Sequence, residues 1–371
     1  MNDKRYLRHS LIDWFSQDKV YGSSVAIVGC GAVGNEVAKN LALLGVGQLD
    51  LYDFDTIEIH NLTRSILFRE TDVGLNKAEV AGREIKKINS DSVVNIFPGN
   101  FWDLMSLERA QNYDCIISCV DNFEARIKLN EIALITKTNF VNTAIDSKYA
   151  IIEVFPFSLN NATACYECNL PESSYARMQE RYSCGWLKKV SYLEKKIPTT
   201  IITSSLAASI AVANILQLIN NPNSTLSRRI FIDTFTGNST TTVLGKNPDC
   251  PGCSFLHTEP LILKGSPLIH DRLSLAVDDS ATLTLSDPVL VSYRCVECNP
   301  NEDDATVVFE RASKYNTDIA KCINCKQDTV RVNIKDSFTI NELISTMYGK
   351  KIPSKFIYVI EEDEILIIDL E

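Results

Sequence analysis

The sequence predicts an α/β protein in two parts. A Rossmann-like nucleotide-binding domain covers about residues 1–257, and a smaller C-terminal domain covers 258–371. Three observations carry that prediction. A glycine-rich turn stands between a short apolar strand and a helical pattern near the N-terminus. Eight of the 12 cysteines fall in four C-x-x-C pairs. The last stretch of the chain reads strand, helix, strand, strand.

The βαβ unit comes first. SVAIV at 24–28 is a short apolar strand, GCGAVG follows at 29–34, and NEVAKNLALLGV has a helical pattern. QLDLYDFD is a second strand that ends in Asp53 and Asp55. Strand, G-x-G-x-x-G, helix, strand and acid is the order of a dinucleotide-binding unit. Gly29, Gly31 and Gly34 let the backbone approach phosphates, and the helix N-terminus favours their charge. Taken alone, the motif also fits a dehydrogenase that holds NAD or FAD.

The next residues shift that balance. TIEIHNLTR brings Asn61 and Arg64, Lys77 follows thirteen residues after Arg64, and Asp121 stands just past the apolar strand IISCV. Two cations over phosphates together with a magnesium-type carboxylate suit a nucleoside triphosphate, and a nicotinamide has no need of them. No G-x-x-x-x-G-K-[ST] occurs, so this is not a P-loop. Each residue also has a plain reading. Arg8 and Arg64 fit surface arginines, Lys77 fits a solvated helix face, and Asp121 fits the cap of the helix that follows it.

The cysteines sort by spacing. Cys165/Cys168, Cys250/Cys253, Cys295/Cys298 and Cys322/Cys325 are the four pairs. In a cytosolic chain such pairs read as zinc knuckles, two of which close one tetrahedron. CVEC and CINC enclose 23 residues, the spacing of a zinc ribbon over 295–325. Residues 328–371 then read TVRVNI (strand), TINELISTMYG (helix), KFIYVI and ILIIDL (strands), the order of a small β-grasp-like unit. Residues 258–292 hold turns and short apolar runs such as TLTLSDPVLVSY. Cys115 and Cys119 lie in the apolar run DCIISCV and read as core thiols. Cys30 lies in the glycine turn. Only Cys184, in RYSCGW, is left without a role.

Charge and hydropathy narrow the setting. A formal net charge of −10 speaks against tracking a phosphate backbone, so no nucleic-acid partner is expected. MNDKRYLRHS has no apolar h-region of a signal peptide. IITSSLAASIAVANILQLI at 201–219 is long enough to span a bilayer. Its Ser and Thr content, with Asn214 and Gln217, predicts a buried helix, no membrane partner and a cytoplasmic location.

Taken in order, RYLRH at 5–9, GCGAVG, DFD at 53–55, NLTR at 61–64, Lys77, VDNFEAR at 120–126, CYEC and CPGC resemble one family. It is the ThiF/MoeB/HesA group of adenylyltransferases, the ubiquitin-like-protein activating enzymes and their bacterial relatives. The segment around RYSCGW is most similar to prokaryotic activating enzymes of ubiquitin-like conjugation systems, antiviral ones among them. The resemblance implies that Mg-ATP is used to adenylate the C-terminal carboxylate of a β-grasp protein. Gly29, Gly31 and Gly34 would form the phosphate loop, and Asp53, with Asp55 beside it, would meet the ribose. Asn61, Arg64 and Lys77 would contact the triphosphate and Asp121 the Mg²⁺. Arg8 would reach into a neighbouring subunit, which implies a homodimer. Cys165, Cys168, Cys250 and Cys253 would hold the family's zinc, and the ribbon a second. The crossover over 169–200 would carry Cys184 as the nucleophile that takes the acyl group as a thioester before a conjugating enzyme receives it. Arg177, Arg181, Lys188 and Lys189 stand close in sequence and favour its thiolate. Thr199 and Thr200 are further hydroxyls there. Two alternatives accompany this reading. One is adenylation without a thioester, as in sulfur-carrier activation or peptide modification in antibiotic biosynthesis. The other is a zinc-ribbon scaffold that binds nucleotide without turnover.

Overall fold

β1 (Ser24–Val28) is apolar throughout and buried along nearly all its length, as a central parallel strand must be. The computed structural model around it describes residues 4–159, 163–171, 198–221, 226–265, 281–301, 305–314, 322, 324–327, 329–347, 350–360 and 364–370. They fall into two units, Met1–Leu170 with Lys196–Phe255, and Pro171–Lys195 with Leu256–Glu371.

In the first unit β1 is joined by β2 (Gln48–Tyr52), β3 (Val93–Phe97), β4 (Cys115–Ser118) and β5 (Asn139–Ile145), all parallel. β6 (Tyr149–Phe155), β7 (Arg228–Asp233) and β8 (Ser239–Val243) extend the sheet antiparallel, in the order β3-β2-β1-β4-β5-β6-β7-β8. The described helices here are α1 (Gln17–Tyr21), α2 (Ala32–Leu44), α3 (Lys77–Ile88), α4 (Phe101–Leu104), α5 (Leu107–Gln111), α6 (Phe123–Ile135) and α7 (Ile201–Asn220). One core joins Val25 and Ile27 of β1, Leu49 and Leu51 of β2, Val37 and Leu41 of α2, and Ala207, Ala211 and Ile215 of α7. α7 is long and apolar enough to cross a membrane by length and composition, yet 56% of its most apolar 18-residue stretch is buried inside the protein. Its alanines let it lie close to the sheet, in line with the buried helix expected over 201–219.

α2 starts directly from the glycine turn, and Gly34 in its first turn decides how close the two lie. A Cβ there would stand 1.8 Å from the Gly29 carbonyl oxygen, whereas one on Gly31 would meet nothing within 4 Å. Gly34→Ala is therefore expected to cost about 3 kcal/mol through overpacking. Gly31→Ala is expected to leave the thermal midpoint unchanged while weakening nucleotide binding. Paired melting curves and nucleotide titrations check both.

The second unit is a six-stranded sheet of β9 (Leu261–Gly265), β10 (Thr282–Cys295), β11 (Thr306–Arg311), β12 (Val330–Thr339), β13 (Phe356–Ile360) and β14 (Ile365–Leu370), with α8 (Ile340–Met347). Strand, helix, strand, strand over the last residues is as expected. The short apolar runs expected around TLTLSDPVLVSY are instead one 14-residue strand, β10. It runs beside β12 on one edge and shares its other edge between β13 and β11. The register shifts between Thr284 and Val289, where Pro288 has no N–H to offer the ladder. Ribbon and β-grasp-like segment thus share β10, with Leu283, Leu285, Phe338, Leu343, Met347 and Ile357 in one core.

Candidate functional site

Register sets the crevice. Val28 of β1 lies level with Tyr52 of β2 and Ser118 of β4. The turns that leave these strands therefore open at one edge of the sheet. β2 and β4 flank β1 on opposite sides, the point where strand order reverses and where open α/β sheets bind ligands. Gly29 N donates to Tyr52 O at 2.8 Å, and Cys119 N donates to Val28 O at 2.8 Å.

Asp53 closes the glycine turn. Its Oδ2 accepts from Cys30 N at 2.6 Å and its Oδ1 from Asp55 N at 2.8 Å. Burial pushes its carboxyl up from the usual range, and the two amides pull it back. Asp55 Oδ2 in turn pairs with Lys77 Nζ at 2.7 Å, with the lysine side chain only 13% exposed. Asn76 caps α3 by accepting from Ala78 N and Glu79 N, and its Nδ2 donates to Asp53 O at 3.1 Å. The glycine turn, both aspartates and Lys77 form one bonded group.

Asp121 stands exposed on the turn between β4 and α6. It does not cap that helix. Asn122 does, with Oδ1 accepting from Ala125 N at 2.8 Å. Asn61 lies in the turn Ile59–Thr63, and Arg64 caps its end. Asn61 Oδ1 accepts from Glu58 N at 2.9 Å, and Arg64 Nη1 donates to His60 O at 2.8 Å. Arg5 of RYLRH is docked onto Asn89 and Ile88, while Arg8 is exposed. Cys184 lies outside the described residues, as do Arg177, Arg181, Lys188 and Lys189. Thr200 caps α7, accepting from Thr203 N at 3.3 Å.

One contributor escaped the sequence reading. Asn35 is fully buried, donates Nδ2 to Cys30 O at 2.7 Å and accepts at Oδ1 from Leu67 N at 2.9 Å. It ties the glycine turn to the segment that follows Arg64. Its signal was a polar residue on the apolar side of α2, directly after the third glycine.

Cys30, Cys115 and Cys119 are thiols. Burial raises all three, Cys119 to about 12. The other eight described cysteines form two groups, Cys165, Cys168, Cys250 and Cys253, and Cys295, Cys298, Cys322 and Cys325. In the first, Cys165–Cys250 and Cys168–Cys253 sulfurs lie 3.6 Å apart and Cys165–Cys168 3.7 Å. In the second, Cys295–Cys325 is 3.6 Å and Cys298–Cys322 3.7 Å. Those spacings are far too long for disulfides. They match the edge of a tetrahedron about 3.8 Å across that Zn–S bonds of about 2.3 Å generate. Both sulfur sets fit Zn²⁺. Thr329 Oγ1 lies 3.0 Å from Cys295 Sγ and orients it.

Residues 4–252, more than half of the chain, match the ThiF family. The chain belongs to the ThiF family. This family of adenylyltransferases sets aside the dehydrogenase that the glycine motif alone had left open. The ThiF-family chain is 25% identical over 346 residues to ubiquitin-like modifier-activating enzyme 5 of Drosophila erecta, covering 89% of this chain and 83% of that one. With the Arabidopsis thaliana enzyme of the same name it shares 26% identity over 329 residues, 84% of this chain and 72% of that one. Among solved structures it is similar to E. coli MccB with AMPCPP and selenomethionine MccA. There the TM-score is 0.56 and the identity 28%, over 68% of this chain and 75% of that one.

Proposed function

We propose that this enzyme activates a ubiquitin-like protein by adenylating its C-terminal carboxylate with ATP and then takes the acyl group onto Cys184. The bonded group of glycine turn, Asp53, Asp55 and Lys77 at the strand-order reversal carries the reading. It puts backbone amides, a helix N-terminus and a cation where a triphosphate would lie. Lys77, with Asn61 and Arg64, would neutralise phosphate oxygens. Asp53 would meet the ribose with Asp55 beside it, and Asp121 would hold Mg²⁺, which supplies further charge neutralisation at the phosphates. A carboxylate oxygen of the acceptor attacks the α-phosphorus, the bond to the bridging oxygen breaks, and pyrophosphate leaves. The Cys184 thiolate then attacks the acyl carbon. A C–S bond forms, the C–O bond to phosphate breaks, and AMP departs. The relatives named as ubiquitin-like modifier-activating enzymes support the acceptor class. Arg8 would serve the neighbouring subunit of a homodimer, and a conjugating enzyme would receive the thioester, in a bacterial conjugation system.

Cys184 is the choice because the other cysteines have other duties. Cys30 and Cys115 are held as buried thiols, Cys119 is partly buried, and eight more belong to the sulfur clusters. Incubation with Mg-ATP and purified ubiquitin-like proteins ending in glycine is expected to give an adduct that reductant cleaves. Cys184→Ala is expected to abolish the adduct and retain pyrophosphate release. The likeness to MccB favours a second reading, adenylation without a thioester, and AMP formation with no adduct in either protein would establish it.

A further inference from the structure

Asn35 is the fourth residue of α2 and is fully buried. A polar side chain sealed in this way is costly unless both its ends are bonded, and here both are. Nδ2 donates to Cys30 O at 2.7 Å, and Oδ1 accepts from Leu67 N at 2.9 Å. The two ends cannot be exchanged, because one faces a carbonyl and the other an N–H. A carboxylate lacks the donor, and an apolar side chain lacks both groups.

The bond to Cys30 sets the direction of a peptide group. Gly29 N donates to Tyr52 O, Cys30 N to Asp53 Oδ2, and Gly31 O accepts from Asn35 N at 2.9 Å. The Cys30–Gly31 peptide is trans, so its N–H points opposite to its C=O. With Cys30 O drawn to Asn35, the Gly31 N–H is turned away from that side chain. It has no hydrogen-bond partner among the described residues, and a Cβ on Gly31 would meet nothing within 4 Å. A free amide on an open stretch of the turn can serve an anion. The bond to Leu67 acts on the cation. Leu67 lies three residues after Arg64, and Leu67 and Phe68 share one core with Val33 and Val37 of α2. Arg64 N donates to Asn61 O at 3.1 Å, so both residues expected at the triphosphate belong to this docked segment.

We propose that Asn35 is a positioning residue for the triphosphate, one buried amide that sets the free Gly31 N–H and the Arg64 segment in a fixed relation to each other. This rests on the nucleotide reading above. Asn35 is closed to solvent, so it touches no phosphate and acts through those two groups. Losing it would leave a buried carbonyl and a buried N–H unpaired and free the turn and the cation segment to shift independently.

The test variant is Asn35→Leu, which keeps the size, adds no charge and removes both bonds. Asn35→Ser, too short to span both partners, replaces it if the first fails to fold. The readouts are affinities for Mg-ATP by calorimetry and for adenosine by ligand-observed NMR, neither of which needs an acceptor. Asn35→Leu is expected to weaken Mg-ATP binding about tenfold and adenosine binding less than about twofold, since the disturbed contacts are those to phosphate. Arg64→Ala is expected to cost Mg-ATP affinity about tenfold as well. The double variant should lose about twentyfold, short of the roughly hundredfold of independent sites. Val37→Ala, a core change on the same helix, is expected to lower the thermal midpoint and leave both affinities in place. A normal Mg-ATP affinity in the folded Asn35 variant overturns the proposal. A loss shared equally by adenosine, or a roughly hundredfold loss in the double variant, also overturns it and makes Asn35 a structural residue of α2. Wild-type protein that binds no Mg-ATP overturns this proposal and the nucleotide reading together. Wild-type protein that binds Mg-ATP but drives no pyrophosphate exchange with glycine-terminated ubiquitin-like proteins removes the adenylation of such acceptors and leaves the Asn35 result standing.

Discussion

Lys77→Ala is expected to lower ATP–pyrophosphate exchange about 10²–10³-fold, the effect of deleting one preorganised charge stabiliser from a polar site. The side chain is mostly buried while its partner Asp55 is half exposed, with side-chain exposures of 13% and 51%. Losing the lysine leaves Asp55 free to be solvated, so folding changes little and the loss falls on the reaction. The same variant gives a second readout. Asp55 without Lys77 is an uncompensated charge beside the phosphate loop, so ATP affinity should drop as well. Exchange within about threefold of wild type, with a normal melting curve, would remove Lys77 from the triphosphate site.

Cys250→Ser is expected to release one of two metal ions and to lower the thermal midpoint by about 10 °C or more. Structural zinc contributes about 10–16 kcal/mol of apparent binding energy in small zinc-folded peptides, and here that energy would close one unit. Cys165 and Cys250 are fully buried, so three thiols left without a metal cannot be rescued by water. The knuckle is also tied to α6, where Tyr166 N donates to Asn130 Oδ1 at 3.0 Å and Asn130 Nδ2 to Glu167 Oε1 at 3.3 Å. Native mass spectrometry would count the ions, and calorimetry would read the midpoint. No ion in the wild type would mean that the cysteines pack without metal, and two ions retained or an unchanged midpoint in the variant would remove Cys250 from the ligand set.

The parallel half of the fold was legible because its signals are local. An apolar run, three glycines and a polar-capped helix stand within about twenty residues of one another, and each element needs only its neighbours to be recognised. The second unit was harder. β10 contains Asp287 and Pro288, which read as a break. The register shift, the Ser354 hydroxyl, which accepts from Asp287 N at 3.2 Å, and Lys355 N, which donates to Asp287 Oδ2 at 3.1 Å, show how the strand passes through them. Its partner β12 lies far along the chain, and no periodicity reports such pairing. Sequence also could not tell Asp121 from Asn122 as the helix cap, since both residue types cap well. Asn35 was invisible for a related reason. Its meaning comes from what faces it across the turn, and spacing does not carry that.

The first sulfur cluster has a consequence for how the chain is made. Its two knuckles, Cys165–Cys168 and Cys250–Cys253, are separated by about 80 residues. At ribosomal speeds of about 5–20 residues per second, the earlier pair emerges about 4–16 s before the later one exists. During that interval two thiols of a reactive type stand open to oxidants and to stray metals, and β7 and β8 have not yet been added to the sheet. The parallel strands β1–β5 are already complete, so the nucleotide half can form first. A Zn²⁺ taken up there would then lock the antiparallel extension in place as the last step of that unit, which would make zinc supply during translation a determinant of yield.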